Sequence, residues 1–222
     1  VWFKRDLRLR DHEPLKLAIE SGKPLLLLTF LEPSLMQAPQ SDTRHWRFVY
    51  QSIVDMNQQL VTHNAQVQVV HGEVLPTLSA LAKNYAIDTI FSYQETGLDI
   101  TYSRDKSVAA FCAEQNIKWH ESQYAGVIRG LHNRKRWSQK WYATMSLPMA
   151  NPDLTKIEAI DIKESFKGEI PEALKVANSP FQPGGSTNGL KYLKSFLAKR
   201  SENYNAHISK PLESRKSCSR LS

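Results

Sequence analysis

The chain has few of the residues that support several common classes of protein. Only two cysteines occur among its 222 residues, Cys112 and Cys218, so we do not expect a disulfide-stabilised secreted fold. The seven histidines are scattered without the spacing of metal ligands, so we expect no metal site. The longest apolar run, Leu25–Leu28 with Phe30 and Leu31, is far too short to cross a bilayer. No basic-then-apolar leader opens the sequence, and we therefore expect a cytoplasmic protein with no membrane partner.

Glycine is missing from the first strand-to-helix connection. Residues 1–3 have the composition of the end of a buried strand, and a charged run then leads into a helix near Pro14. Open α/β sheets bind ligands where strands end in such loops, but without glycine this loop is not a phosphate-cradling loop of the Rossmann or P-loop kind. Recognition would therefore fall to side chains of the loop, which include Lys4, Arg5, Asp6 and Arg8. The alternative is that these charges only pair with one another on the surface.

Strand and helix patterns alternate five times in the first 121 residues. The strongest helical pattern covers four turns and ends at Leu60. This alternation predicts an α/β fold, a doubly wound, five-stranded parallel sheet with helices on both faces. Strands one and four are neighbours in such sheets, so Glu95 and Asp99 should lie near the first loop. The alternative for this stretch is a turn with Gly97 at positive φ, followed by an acidic helix start.

Basic and aromatic residues interleave over residues 129–142, and the pattern has two interpretations. Nucleic acids are bound by such segments through phosphate charges and base stacking. However, Trp137, Trp141 and Met145 share one helical face, which favours packing anchors in a core. Residues 134–136 would then be a solvated rim.

Beyond this segment, the chain changes character. From Pro148 to Gly185, prolines and glycines interrupt any long periodicity, which indicates a connector between two domains. Residues 191–220 then contain eight basic and two acidic residues, so they carry +6 of the net charge of +7. A basic tail on a near-neutral domain suits a phosphate-bearing partner, and a solvated linker is the alternative.

The opening residues carry a resemblance to a known family. Trp-Phe-Lys-Arg-Asp-Leu-Arg-Leu-Arg-Asp is similar to the signature Trp-Phe-Arg-x-Asp-Leu-Arg-x-x-Asp-Asn of the photolyase/cryptochrome family. Lys4 and His12 are the positions at which this chain departs from it.

Two stretches near the far end resemble the same family. The Pro-Gly-Gly segment that ends at Gly185 is similar to the start of the family's flavin-binding domain, and we expect Ser186 or Thr187 to cap the helix that follows. Residues 217–222 are similar to the family's Gly-Thr-Ser-Arg-Leu-Ser, with Cys218 in place of threonine.

The resemblance implies a division of the chain and two cofactor sites. Residues 1–130 would be the antenna-type α/β domain, residues 131–185 the connector, and residues 186–222 the first helix and start of an all-α domain that binds FAD. Hydroxyls at a helix start suit the FAD phosphates, and the residues implied for them are Tyr204, Cys218, Ser219, Arg220, Leu221 and Ser222. A second, light-harvesting chromophore, such as a folate or a deazaflavin, would lie against Lys4, Arg5, Asp6, Arg8, Phe30 and Glu95.

The function implied by the resemblance is that of a deoxyribodipyrimidine photolyase, a lyase that splits UV-induced pyrimidine dimers by electron transfer from excited reduced FAD. We expect a monomer that binds UV-damaged DNA through a domain outside this chain, with no catalytic residue inside it. The fragment alone is then expected to be inactive. Two alternatives stay open, a cryptochrome-type blue-light photoreceptor and a free-standing nucleotide-binding α/β domain.

Overall fold

The computed structural model describes residues 1–176 and 181–218, and the chain divides into two compact units. The first unit consists of Val1–Ser41 and Leu60–Ile170, and the second of Asp42–Gln59 and Pro171–Ser222. All five strands belong to the first unit, whereas the described part of the second unit is helical.

The strands are parallel, as predicted, but they form two hydrogen-bonded ladders. They are β1 (Trp2–Phe3), β2 (Leu28–Leu31), β3 (Gln68–His71), β4 (Thr89–Tyr93) and β5 (Lys118–Ser122). One ladder has the order β1-β2-β3, and the other joins β4 to β5. β1 contacts β4, as expected at a switch point, but with two residues it is too short to sustain a ladder on both edges. The α/β class is therefore confirmed, and a single continuous five-stranded sheet is not.

Helices follow the strands and then dominate the rest of the chain. They are α1 (Glu13–Glu20), α2 (Pro33–Met36), α3 (Thr43–Leu60), α4 (Val74–Ala82), α5 (Asp99–Glu114), α6 (Trp137–Met145), α7 (Glu172–Lys175), α8 (Ser186–Ala198), α9 (Tyr204–His207) and α10 (Pro211–Ser217). α1 begins with Pro14 in its first turn, and the Nδ1 atom of His12 accepts a hydrogen bond from the Leu15 N–H at 3.0 Å. An imidazole thus caps the helix at a position where the similar family signature has asparagine.

The core of the first unit follows from strand alternation, because successive side chains point to opposite faces of a sheet. Trp2 joins a buried cluster with Phe30 of β2, Leu78 of α4 and Val108 of α5. Phe3 is fully buried on the other face. The side chains of the strands therefore pack against the helices on one face of the sheet or the other, and the polar loops lie at the ends of the strands.

The first part of the predicted connector covers the edge strand β3. The backbone N–H of His71 donates to Lys167 O at 2.7 Å, and the Gln68 side-chain amide donates to Ile160 O at 3.0 Å. Gly168, at φ +68°, lies so close that a Cβ would be 2.5 Å from His71 O. This stretch therefore belongs to the first unit, where it shields a strand edge that would otherwise be open to pairing.

The packing role predicted for the aromatic face of α6 is wrong for two of its three residues. Trp141 packs against Gly126, where a Cβ would lie 2.1 Å from the indole ring. Trp137 is 38% exposed and Met145 is 50% exposed. The two ends of the apolar face of this nine-residue helix are therefore exposed, while Trp141 at its centre packs against the unit.

In the second unit, α3 holds the start of α8. Gln51 and Ser52 of α3 accept hydrogen bonds from the N–H groups of Gly184 (2.9 Å) and Gly185 (3.0 Å). A Cβ on Gly184 would lie 2.1 Å from the Phe48 carbonyl oxygen. The two glycines therefore serve a close approach of backbone to helix.

The predicted cap of α8 is also wrong. The N-cap residue is Gly185, and the capping oxygen comes from another helix. Asp55 Oδ2 accepts hydrogen bonds from Ser186 Oγ at 2.9 Å and from the Thr187 N–H at 3.3 Å. Burial raises the pKa of Asp55, but these hydrogen bonds outweigh it and hold the pKa below its usual range. A carboxylate at a helix start also complements the helix dipole.

The close approach at Gly184 leads to a matched pair of substitutions. Gly184→Ala should lower the free energy of unfolding by about 1–3 kcal/mol, because the added methyl group overlaps the Phe48 carbonyl. Gly189 lies inside α8, and a Cβ added there would have no described atom within 4 Å. Gly189→Ala should therefore raise the free energy of unfolding by about 0.5–1 kcal/mol. Urea denaturation of both variants measures this, and equal effects would contradict the packing described.

Candidate functional site

The loops that follow three neighbouring strands bring charged side chains together beside α5. Lys4 follows β1, Glu32 follows β2 and Glu95 follows β4, while Arg104 and Asp105 lie on α5. The carboxyl ends of parallel strands meet at one edge, which is where open α/β sheets bind ligands. The expectation that Glu95 lies near the first loop is thereby confirmed. We call Lys4, Arg5, Glu32, Glu95, Arg104 and Asp105 the crevice network.

Arg104 is the centre of the crevice network. Its guanidinium pairs with Glu32, lies 3.2 Å from Glu95 Oε2, and donates from Nε to Asp105 Oδ1 at 2.9 Å. It also lies over the ring of Trp2, 4.8 Å from the centroid. The planar fork of arginine can satisfy several carboxylates at once, which a lysine ammonium cannot do with the same geometry. Arg104 thus ties the ends of β2 and β4 to α5.

Lys4 adds a second buried ion pair. Its Nζ lies 2.6 Å from Asp105 Oδ2, and each of the two side chains is only 5% exposed. The ammonium group also lies 4.3 Å from the centroid of the Trp2 ring. Burial lowers the pKa of Lys4, and the neighbouring Asp105 carboxylate opposes this shift. The first loop is therefore anchored to α5 by a desolvated charge pair.

Glu95 is held by both backbone and side-chain donors. Its Oε1 accepts from the N–H groups of Thr96 (3.0 Å) and Gly97 (2.8 Å) and pairs with Arg5. A Cβ on Gly97 would lie 1.5 Å from the Arg5 guanidinium. The residues with positive φ do not include Gly97, so the left-handed turn of the alternative interpretation is wrong, whereas its acidic helix start is confirmed because α5 begins at Asp99. The glycine is instead explained by the passage of Arg5 across it.

Asp6 and His12 form a separate buried pair. Asp6 Oδ2 lies 2.5 Å from His12 Nε2, and both side chains are almost completely buried. Because His12 Nδ1 accepts from the backbone N–H of Leu15, its Nε2 carries the proton that is donated to Asp6. Burial raises the pKa of Asp6, but the interactions with His12 and the Lys4 N–H hold it below the usual range. This pair joins the first loop to α1.

The other two residues predicted for this site lie at its margins. Arg8 donates to the carbonyl oxygen of Asp11 at 2.9 Å and lies against the ring of Tyr93. Phe30 is buried in the core, edge-on to Trp2. Of the six residues predicted for the pigment, Lys4, Arg5 and Glu95 therefore meet in one network, and the other three surround it.

Three residues of the network were not predicted from the sequence. Glu32 had a usable signal, because it is the first charged residue after the apolar second strand, as Lys4 is after the first. Arg104 and Asp105 had none, because they lie inside a helix where nothing separates them from other charged positions.

The electrostatics of the network are nearly balanced. Lys4, Arg5 and Arg104 face Glu32, Glu95 and Asp105, and no buried side-chain polar atom lacks a hydrogen bond in the described part of the chain. Arg5 is the most exposed member, with 57% of its side chain accessible, compared with 13% for Arg104. Burial raises the pKa of Glu32 to about 7, against the opposing effect of Arg104. The arrangement can therefore take up one proton near neutral pH and present one guanidinium to a ligand.

The residues predicted for the FAD phosphates lie at the end of the second unit. Tyr204 opens α9, where its ring meets that of Phe196 edge-on, and Cys218 follows α10. Arg200 pairs with the Cys218 carbonyl oxygen and donates to Tyr192 O at 2.6 Å. Ser219, Arg220, Leu221 and Ser222 lie outside the described residues.

Within residues 1–176 and 181–218, no three histidine, cysteine or acidic side chains are grouped so that they could hold a metal ion. In the same part of the chain, no helix has both the length and the apolar composition to cross a membrane.

The chain is similar to known proteins over its amino-terminal part. Residues 1–142 match the family model described as DNA photolyase. The deoxyribodipyrimidine photo-lyase of Alkalihalophilus pseudofirmus is 29% identical over 54% of this chain and 25% of its own length. A cryptochrome DASH from Synechocystis sp. is 32% identical over 54% of this chain and 26% of its own length. The matched segment thus spans about a quarter of the length of these curated relatives.

A solved structure matches the fold. The archaeal photolyase from Sulfolobus tokodaii, described as containing two FAD molecules and as implying a novel light-harvesting cofactor, superposes with a TM-score of 0.63 at 19% identity. The match covers 86% of this chain and 45% of that one. At this identity, the likeness establishes the fold alone.

The raised pKa of Glu32 makes a prediction about stability and pH. A carboxyl whose pKa is higher in the folded than in the unfolded state stabilises the fold less once it ionises, so stability falls as pH rises from 4.5 to about 7. The loss should be about 3 kcal/mol. Glu32→Gln removes this titration. The difference in unfolding free energy, wild type minus variant, should therefore decrease as the pH rises from 4.5 to about 7.

Denaturant unfolding at a series of pH values measures the difference, with Glu164→Gln as the control because Glu164 is exposed. If the Glu32→Gln and wild-type curves run parallel through pH 7, Glu32 does not titrate as described.

Proposed function

The chain belongs to the DNA photolyase family, and we propose that it is the amino-terminal part of a light-dependent DNA repair flavoprotein. The whole protein would be a deoxyribodipyrimidine photolyase that splits UV-induced pyrimidine dimers. The observation that carries the proposal is the family match over residues 1–142. The relative that is named a photo-lyase and the fold of the archaeal photolyase support it.

Bound FAD, when reduced and excited by light, supplies the electron that splits the dimer. The dimer must leave the base stack to be reached, because chemistry on a base requires access to its atoms. We propose that Tyr204 and Cys218, with Ser219–Ser222, bind the FAD phosphates. Hydroxyl, thiol and guanidinium donors fit a diphosphate, and Arg200 fixes the Cys218 carbonyl at the start of this segment.

We further propose that three segments of the chain have different roles. Residues 1–130 would be the antenna domain, residues 131–185 the connector and residues 186–222 the start of the FAD-binding domain. The catalytic residues and the main contacts to damaged DNA would lie outside this chain, and the fragment alone would be inactive. The support is the coverage of the matches, about a quarter of the curated relatives and 45% of the archaeal structure. We also propose that the protein is a cytoplasmic monomer.

A second chromophore, a folate or a deazaflavin, is proposed at the crevice network. Most side chains of the crevice network form ion pairs with one another, so the pigment would contact the solvent-facing edge of the network. Arg5, which is 57% exposed and lies across Gly97, has the charge and reach to bind an anionic group there. Arg8 lies beside the same edge, where it contacts Tyr93. The archaeal photolyase, whose structure contains two FAD molecules and is described as implying a novel light-harvesting cofactor, supports a pigment in this fold.

A cryptochrome-type photoreceptor is the second candidate function. The cryptochrome DASH of Synechocystis sp. is 32% identical over the matched segment, compared with 29% for the photo-lyase, so the amino-terminal half does not separate the two roles. The third alternative, a free-standing nucleotide-binding domain, is not retained because the family match covers residues 1–142.

A photoreactivation assay on the full-length gene product tests the function. We expect dimers in UV-irradiated DNA to disappear under blue light and to persist in the dark. This 222-residue chain assayed in parallel should neither repair dimers nor retain flavin absorbance after purification. A full-length protein that binds FAD but repairs nothing in the light would favour the photoreceptor.

The same preparations test the second chromophore. Arg5→Ala should reduce the folate or deazaflavin recovered with the protein, while FAD content and repair per absorbed photon at the flavin stay unchanged. Lys16→Ala, an exposed cation of α1, is the control. Equal pigment content in Arg5→Ala and wild type would refute the proposed role of Arg5 in binding the pigment.

A further inference from the structure

One segment of the first unit combines high positive charge with an absence of carboxylates. Residues 122–152 contain five basic residues and no aspartate or glutamate. Arg129 is neutralised by a two-point ion pair with Glu121, at 2.9 and 2.6 Å. The other four have no ion-pair partner among the described residues; they are Arg134, Lys135, Arg136 and Lys140. The charge of this segment is therefore available to a partner.

The same segment is exposed, including its aromatic residues. Every residue from 132 to 140 is exposed, and Tyr142 is 64% exposed. Trp137, which the sequence pattern assigned to a core, presents more than a third of its surface to solvent. Cations interleaved with accessible aromatic rings are the combination that binds nucleic acids, by charge to phosphate and by stacking to bases.

The backbone at Arg136 supports a role for its side chain. Arg136 is the N-cap residue of α6 and adopts a left-handed conformation, with φ 60° and ψ 18°, without a side-chain capping bond. Glycine or asparagine would suit this position better. The turn itself therefore does not favour an arginine at this position.

A membrane surface fits this segment less well. The centre of the apolar face of α6 is Trp141, and it is already packed against Gly126. A helix of nine residues with its central anchor turned into its own unit cannot bury a continuous apolar face among lipids.

We propose that residues 132–142 form a docking surface for DNA. Arg134, Lys135, Arg136 and Lys140 contact backbone phosphates, and Trp137 and Tyr142 stack against bases or sugars. The identity of the polymer as DNA rests on the function proposed above, but this interaction lies on the first unit and requires neither flavin nor light.

Binding of undamaged DNA by this chain in the dark tests the surface. Fluorescence titration with a duplex and with a single strand of the same sequence, over a range of salt, should show binding that weakens as salt rises. Replacing Arg134, Lys135 and Lys140 together with alanine should reduce the slope of log K against log salt by about 0.9 for each phosphate that is no longer neutralised. Tryptophan quenching by DNA should fall in Trp137→Phe.

Two control variants remove the same charge elsewhere. The triple alanine variant of Lys83, Lys118 and Lys163, all exposed in the first unit, should bind as the wild type does. The triple alanine variant of Lys191, Lys194 and Lys199 tests the rival basic tail of the second unit. If only that variant loses binding, the docking surface is refuted.

Arg136→Gly separates DNA binding from folding. Glycine relieves the left-handed backbone, so the melting temperature should stay the same or rise while DNA affinity falls. A purely structural arginine would leave affinity unchanged. Stronger binding to vesicles containing anionic lipid than to DNA, or no binding to either strand form, would overturn the proposal, and neither result bears on repair or flavin content in the full-length protein.

Discussion

The first unit depends on how one buried guanidinium is shared among three carboxylates. Arg104 pairs with Glu32, Glu95 and Asp105 in a site that is nearly closed to water. Charges removed from water are tolerated only when their partners are well placed, and the removal of one partner leaves the others uncompensated. The ends of β2 and β4 are therefore held at the positions where Arg104 can reach both. This matters because the hydrogen-bonded ladder does not run from β1 to β4.

Much of the fold followed from local patterns. The five strands and the helices between them come from apolar runs, period-3.6 spacing and proline, and each of these signals acts within a few residues. The meeting of Arg5 and Glu95 followed from the strand order of open sheets, although 90 residues separate them. What could be predicted was thus the edge of the sheet at which charge gathers.

Two of the errors have a common cause, since each depended on a partner distant in sequence. Gly97 was interpreted as a turn residue, but the guanidinium of Arg5 determines its identity. Ser186 was expected to cap its own helix, but Asp55 of α3 provides the oxygen. Tertiary partners overrode local propensity in these two cases. Trp137 differs, because it has the spacing of a core residue but is 38% exposed, whereas Trp141 of the same helix packs against Gly126.

Function in this chain divides between a closed site and open surfaces. The crevice network satisfies its own charges and has Arg5 as its most exposed member, whereas the loop before α6 carries cations without ion-pair partners among the described residues. A pigment and a DNA backbone, as we propose them, would thus be recognised by exposed guanidinium and ammonium groups. Of these groups, Arg5 is held in place by its pair with the buried Glu95. The chemistry of repair is proposed to lie with FAD and a domain outside this chain.

A double-mutant cycle between Arg104 and Glu95 tests the central claim most directly. The unfolding free energies of Arg104→Met, Glu95→Gln and the double variant, measured under the same conditions, give the coupling between the two side chains. If Arg104 ties β4 to α5, the coupling should be about 0.5–3 kcal/mol, with the double variant less unstable than the sum of the single ones. Effects that add to within about 0.5 kcal/mol would show that the two residues act independently and would contradict this account.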